Sequence, residues 1–232
     1  MDEGLPAISA AVVSCRRCPR LVAWREAAAA APPARFRGQT YWARPVPGFG
    51  DPAARLLIVG LAPAANGGNR TGRIFTGDPS GDWLYRALHR AGFANQPTSR
   101  STDDGLVLTD CYVTAVVRCA PPDNKPLPEE RDRCLGYLSA ELAALPSVEV
   151  ILALGGFGWD GVLRALGERG RGRPLFGHGA VAPVGAGRYQ LLGSYHPSQR
   201  NTATGLLSEA AFDMIFTTAR RMLGLPGQPM RG

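Results

Sequence analysis

Lysine is all but missing from this chain. Of its 26 basic residues only Lys125 is a lysine, and every other cation is arginine. Against 19 acidic residues the formal balance is +7. Guanidinium groups suit bidentate phosphate contacts, so the surplus admits a polyanionic partner. An arginine-favouring coding bias, visible also in the abundance of Ala, Gly and Pro, produces the same skew, so charge alone names no partner. Long apolar runs are missing as well. No stretch approaches the ~20 residues of a membrane span. The opening Met-Asp-Glu-Gly-Leu-Pro is acidic where a signal peptide is basic, so the expectation is a cytoplasmic chain with no membrane partner. The Gly-rich loop 61–78 matches neither G-x-G-x-x-G nor a P-loop, which leaves a nucleotide cofactor little support. What is present is 232 residues with 45% hydrophobic and 19% charged content, enough for one folded domain over 1–232 and too apolar for an acidic disordered segment.

The five cysteines are an odd number, which argues against a disulfide framework in a reducing compartment. Cys15 and Cys18 form a C-x-x-C among Arg16, Arg17 and Arg20, a poor setting for buried small hydrophobes. Cys119 and Cys134 flank a proline-rich segment. Two pairs of thiolates can close a tetrahedral zinc site or hold an iron–sulfur cluster, and spacing does not choose between them. Cys111 lies within the apolar run 106–117 and reads as a core thiol.

The run 55–60 reads as a buried strand entering a long polar loop, 61–78. Asp78 then caps a helix that opens with Pro79, carries Trp83, Leu84, Ala87 and Leu88 on one face, and ends at Gly92. A second strand is expected over 106–117. A helix follows from Pro128 to Pro146, then a third strand over 148–154, a helix around 159–166 and a fourth strand over 189–192. Ser208 caps a last helix ending near Gly224, and 225–232 reads as a loose tail. Alternating strands and helices predict an α/β chain in three layers, αβα, around a four-stranded parallel sheet. Ligands of such sheets bind at the carboxyl ends of the strands. The segments to search are therefore 61–78, 118–126, 155–158 and 193–202.

Those segments bring Asn66, Asn69, Arg70, Arg73, Phe75 and Asp78, then Arg118 and Asn124, then His196, Ser198, Gln199, Arg200 and Asn201 to one edge. A histidine, amides, an aromatic ring and arginines together suit a pocket that reads a flat polar ring and grips phosphate.

The same residues carry a resemblance. Gly60-Leu-Ala-Pro-Ala-Ala-Asn-Gly-Gly-Asn-Arg-Thr-Gly-Arg-Ile-Phe-Thr-Gly-Asp-Pro-Ser-Gly81 resembles the first motif of the uracil-DNA glycosylase superfamily. With Pro-Pro-Asp-Asn-Lys-Pro126 and Gly-Ser-Tyr-His-Pro-Ser198, the chain most resembles the family 5, UDGb-type, enzymes. The resemblance implies a monofunctional enzyme that excises uracil from double-stranded DNA, acting as a monomer at the nucleoid. It also implies a structural [4Fe-4S] cluster on Cys15, Cys18, Cys119 and Cys134, within an N-terminal segment 1–54 and the core. Relatives in the superfamily carry a carboxylate where this chain has Ala62, which implies a base range reaching to hypoxanthine and other deaminated or damaged bases.

The chemistry then assigns expected roles. Phe75 stacks on the flipped base, an interaction worth roughly 1–3 kcal/mol, and Ala62 and Asn69 complete the substrate contacts, Asn69 orienting water or phosphate. Asn124 meets the Watson–Crick edge, provided that neighbouring contacts hold its amide in one orientation. His196 donates to the oxygen on which charge develops. Asp78 is the nearest carboxylate in the motif, with helix capping as its competing role. Arg70, Arg73, Ser198, Gln199 and Arg200 are the expected DNA contacts. His178, in Phe-Gly-His-Gly, reads as a positioning or loop residue outside the site. Two rival classes are a non-catalytic iron–sulfur sensor of DNA damage and an iron–sulfur electron-transfer protein.

Overall fold

Four strands run parallel at the centre of the protein because each is apolar on both faces. The structure is a computed structural model that describes residues 4–226. In chain order its elements are α1 (Leu5–Val13), α2 (Pro19–Ala30), β1 (Phe49–Gly50), β2 (Leu56–Gly60), α3 (Gly68–Thr71), α4 (Pro79–Arg90), β3 (Cys111–Ala115), α5 (Pro128–Ala144), β4 (Val150–Leu154), α6 (Gly156–Ala165), β5 (Val181–Val184), β6 (Tyr189–Ser194), α7 (Gln199–Ala203) and α8 (Glu209–Met222). In β2, Leu56 and Ile58 enter one core while Leu57 and Val59 enter the other, and all four are fully buried. Each such side chain contributes roughly 1.5–3 kcal/mol relative to exposure. On one face lie α4 and α8, and α5 and α6 pack against each other on the opposite one, which gives the three layers.

The sheet has six strands in the order β1-β3-β2-β4-β6-β5. The pairs β3·β2, β2·β4 and β4·β6 are parallel, as expected. Two short edge strands are additions: β1 and β5 pair antiparallel with β3 and β6, so the sheet is mixed. Only every second residue of β5 is buried, and Pro183 takes one of the exposed positions, as suits an edge strand. The expected strand over 106–117 shrinks to 111–115. Asp110 adopts a left-handed φ of 58°, breaking the extended run, and Leu108 makes a single bridge to Ala94 instead. Asp110 turns its carboxylate back to accept from the Arg55 backbone N–H at 2.9 Å.

The caps fall where the sequence puts them. The Asp78 side chain accepts from the Gly81 N–H at 3.0 Å, and that of Ser208 from the Ala211 N–H at 3.1 Å. Leu84, Ala87 and Leu88 of α4 are buried, with Tyr85 added to the stripe and Trp83 half-buried against Phe212. The first residues of the expected tail are tied down. Leu225 packs on the core, and the Pro226 carbonyl accepts from Arg220, whereas 227–232 lie outside the described residues. Among the described residues no helix is long and apolar enough to cross a membrane.

Candidate active site and cysteine cavity

A cavity of about 610 Å³ opens at the carboxyl edge of the parallel strands. Every strand end contributes: Ala62, Phe75 and Asp78 follow β2, Asn124 follows β3, Gly155 and Phe157 follow β4, and His196 follows β6. A groove of about 520 Å³ adjoins it, sharing Asp78, Asn124 and Gln199 and carrying Trp24 and Phe36.

His196 sits on a turn held from behind. Its carbonyl accepts from the Ser198 N–H at 2.8 Å and from Asn201 Nδ2 at 2.9 Å. The His196 Cβ lies close to Gly155, where an added side chain would meet it at 3.3 Å and where φ is 86°. Its Nδ1 is buried and has no hydrogen-bond partner among the described residues. Burial alone lowers its pKa to about 4, so the ring is neutral at physiological pH. A neutral imidazole in a dry wall is a hydrogen-bond donor to developing negative charge, not a proton source.

Phe75 is both cavity wall and core. It is 6% exposed, packs with the face that holds α4 and α8, and has its ring centroid 5.7 Å from that of His196. Its ring lies so close to the end of β2 that a side chain at Gly60 would sit 2.6 Å away. Its φ is 53°, a costly conformation for a bulky residue. The flanks hold it there: the Ile74 carbonyl accepts from the Tyr85 hydroxyl at 2.9 Å, and Thr76 bonds Ser99 at 2.6 Å. Backbone strain that neighbours enforce so firmly is a mark of functional positions.

Asp78 uses one carboxylate oxygen for the helix cap, and the other fills the space beside Gly67. It faces both the cavity and the groove, and burial raises its pKa above the usual value. Asn124 lies in a turn bounded by Pro121, Pro122 and Pro126, with left-handed φ values at Asp123 and at Asn124 itself. The backbone is thus framed by proline as expected. The amide is exposed and hydrogen-bonded to no protein group among the described residues, so the expected lock on its orientation is missing.

Several expected contacts are structural instead. Asn69 is fully buried, its amide donating to the carbonyls of Arg25 at 3.1 Å and Ala65 at 3.3 Å, so it cannot orient water or phosphate in the cavity. Arg73 is 4% exposed and spends its guanidinium on Ser99, Asp104 and the Thr102 carbonyl, over the ring of Phe49. Arg118 is buried in an ion pair with Glu141, which also accepts from Thr114. Neither arginine can meet a phosphate. Arg70 is half-buried and clamps the loop, donating to Asn66, Gln39 and the Gly77 carbonyl. Ser198 caps α7, and Gln199 and Arg200 project exposed from the cavity rim. Phe157, on the first turn of α6, lines the cavity and was not anticipated, although its position just after a strand was the available signal.

The other four cysteines line one small cavity while Cys111 is fully buried in the core. Cys15 and Cys18 come from the α1–α2 junction, Cys119 from the segment after β3, and Cys134 from α5. N–H groups are aimed at three of the sulfurs: Arg25 Nη1 at Cys119 (3.0 Å), the Arg118 backbone at Cys134 (3.3 Å) and Arg17 Nε at Cys15 (3.5 Å). Burial pushes the thiol of Cys119 up to about 12 and that of Cys134 up to about 11, so only a bound cation would hold them as thiolates. Among the described residues no three His, Cys, Asp or Glu are gathered as closely as one metal ion needs.

The model of the uracil DNA glycosylase superfamily matches residues 47–220. The type-5 uracil-DNA glycosylase of Mycobacterium tuberculosis (strain CDC 1551 / Oshkosh) is 52% identical over 219 residues, covering 94% of this chain and 81% of its own. That of Thermus thermophilus is 52% identical over 214 residues, 92% of this chain and 96% of its own. A type-4 uracil-DNA glycosylase of Pyrobaculum aerophilum is 32% identical over 158 residues, 66% of this chain and 71% of its own. The chain belongs to the uracil-DNA glycosylase superfamily and, within it, to the type-5 family.

Proposed function

We propose that this chain is a monofunctional glycosylase that flips uracil out of double-stranded DNA and hydrolyses its N-glycosidic bond. The observation that carries the reading is His196: a half-buried, neutral imidazole beside Phe75 in the wall of the cavity at the sheet's carboxyl edge. Extrusion costs a few kcal/mol, partly offset by stacking against Phe75. The bond from C1′ to the ring nitrogen breaks, its electron pair passes into the base, and His196 donates to the carbonyl oxygen of the base that gains the charge. A water oxygen then bonds to C1′ and loses a proton, which ends on the departed base anion, leaving an abasic site and the neutral free base. Asp78 positions that water with the oxygen its cap leaves over. Ser198, Gln199 and Arg200 meet the DNA at the rim, and Arg70 supports them by holding the first loop. Ala62 and the unlocked amide of Asn124 favour a base range that includes hypoxanthine.

Cys15, Cys18, Cys119 and Cys134 would hold a structural [4Fe-4S] cluster. A shared cavity and N–H groups aimed at three of the sulfurs support this, and a four-iron group needs no convergence of sulfurs on one point. Bound there, the cluster supplies cross-links between the N-terminal segment and the core, and takes no part in base release. The chain works as one domain and one copy, in the cytoplasm where the nucleoid DNA lies.

A labelled duplex carrying uracil, hypoxanthine or thymine, paired and unpaired, tests the function. Release of uracil and hypoxanthine, leaving alkali-labile abasic sites, is the expected result. Tight binding of damaged duplex with no release in single turnover would overturn it in favour of a damage sensor.

A further inference from the structure

His178 lies outside the cavity, yet it completes the backbone that carries His196. Just before the start of β5, pairing with β6 already runs: the Gly179 N–H donates to the Gly193 carbonyl and the Gly193 N–H to that of Ala180, both at 2.8 Å. One step further the main-chain ladder stops, and the Tyr195 N–H donates to His178 Nδ1 at 3.1 Å. The imidazole thus replaces a backbone carbonyl as the acceptor. It also stacks on the Tyr195 ring, 4.9 Å between centroids and 22° between planes. Because Nδ1 accepts from the Tyr195 N–H, the neutral ring holds its proton on Nε2. Burial lowers the pKa, with the Ala211 carbonyl acting in the opposite sense. On the far side of the turn Asn201 Nδ2 donates to the His196 carbonyl.

We propose that His178 is a positioning residue for base release, its Nδ1 fixing the Tyr195 amide so that, with Asn201 as counterpart, the His196 ring is held against the departing base. This rests on the glycosylase reading for its chemistry, although the contact itself does not. The turn needs such support because the His196 ring is anchored by no hydrogen bond at Nδ1. Its aim therefore depends on the main chain. A misplacement of about 1 Å costs on the order of 10²-fold in rate.

The test compares His178→Leu, which removes the acceptor, with His178→Asn, whose Oδ1 can replace Nδ1. In single turnover on a uracil duplex, His178→Leu is expected to release base on the order of 10²-fold more slowly. Affinity for a duplex carrying an uncleavable abasic analogue stays unchanged, and His178→Asn recovers most of the rate. Hydrogen exchange at the Tyr195 amide gives a readout independent of catalysis: slow in the unaltered chain and in His178→Asn, fast in His178→Leu. An unaltered rate in His178→Leu, a parallel loss of rate and DNA affinity, or a Tyr195 amide that stays protected overturns the proposal. If the unaltered chain releases no base while exchange follows the acceptor, the glycosylase reading fails and the contact stands.

Discussion

The two cavities of this protein treat their polar groups in opposite ways. Around the cysteines N–H groups are directed at sulfur, and the enclosed space is about 20 Å³. Around His196 the space is about 610 Å³, Nδ1 of the histidine is buried without a partner among the described residues, and the amide of Asn124 is exposed. Buried polar groups in folded proteins are almost always paired, so exceptions need a reason. At the base cavity the reason is a ligand that brings the missing partners. At the cysteine cavity three of the four sulfurs already receive an N–H group, while Nε of Arg25 and Nε of Arg118 are buried without a partner among the described residues. Between the two runs α2: Arg25 reaches Cys119 with its guanidinium and receives the Asn69 amide on its carbonyl. The cysteine cavity thus braces the loop from which Phe75 and Asp78 enter the site.

His196→Ala gives the largest contrast. It removes the one donor aimed at the departing base, and single-turnover release is expected to fall about 10²–10³-fold. Thermal stability changes little near pH 7. The pH dependence has a defined sign. The imidazole titrates at about 4 in the folded protein against an ordinary value of 6.5. Over that window the unfolded chain binds more protons, so stability is lost as pH falls from about 6.5 towards 4, and His196→Ala should flatten the loss. The pH–rate profile of the unaltered chain should show no inflection near 6.5. One there would make His196 a proton donor and defeat its role as a neutral donor.

Asp78→Asn comes next. Asparagine caps a helix as well as aspartate does, so the melting temperature should stay put. Release should slow on the order of 10²-fold, the lower end for a positioned base. A normal rate would leave Asp78 as a cap alone. The burial-raised pKa means that the carboxylate's contribution is lost on acidification at a higher pH than for an exposed aspartate.

A smaller effect on rate is expected at the cysteine cavity. The purified chain should contain iron and sulfide, and Cys119→Ser should lose both. Its melting temperature should fall, with release slowed by less than the roughly 10²-fold of a direct misplacement, because α2 transmits the change through Asn69. Zinc in place of iron would break the cluster assignment. Loss of iron with no change in stability would break the bracing role.

The layers, the parallel centre of the sheet and its carboxyl edge were legible because periodicity and turn chemistry are local signals. Asp78 and Pro79, or Leu84, Ala87 and Leu88, declare a helix without reference to the rest of the chain. Edge strands were less legible, since β1 is two residues long and β5 contains Pro183. The candidate site was legible as a set of segments but not as a set of side chains. Phe75 and Asn69 stand six apart in one loop, yet one ring meets the cavity and the other residue's amide turns inward to α2. Arginine was the hardest residue to read. Arg70, Arg73, Arg118 and Arg200 look alike in sequence, and nothing local tells that Arg118 finds Glu141 across a buried pair.

That ambiguity yields the smallest prediction. Arg200 is exposed at the rim, whereas Arg73 is held by Asp104 and Ser99. If Arg200 meets a phosphate, Arg200→Gln should weaken binding to every duplex alike and lower the salt-dependence slope by about 1. Release from the saturated complex should hardly change, because the contact is equally strong before and during bond breaking. Arg73→Gln should leave the salt slope untouched and instead reduce stability, because Asp104 would lose its buried partner. A salt slope that shifts with Arg73 and not with Arg200 would mean that the loop rearranges on DNA, freeing a guanidinium that the isolated protein keeps inside.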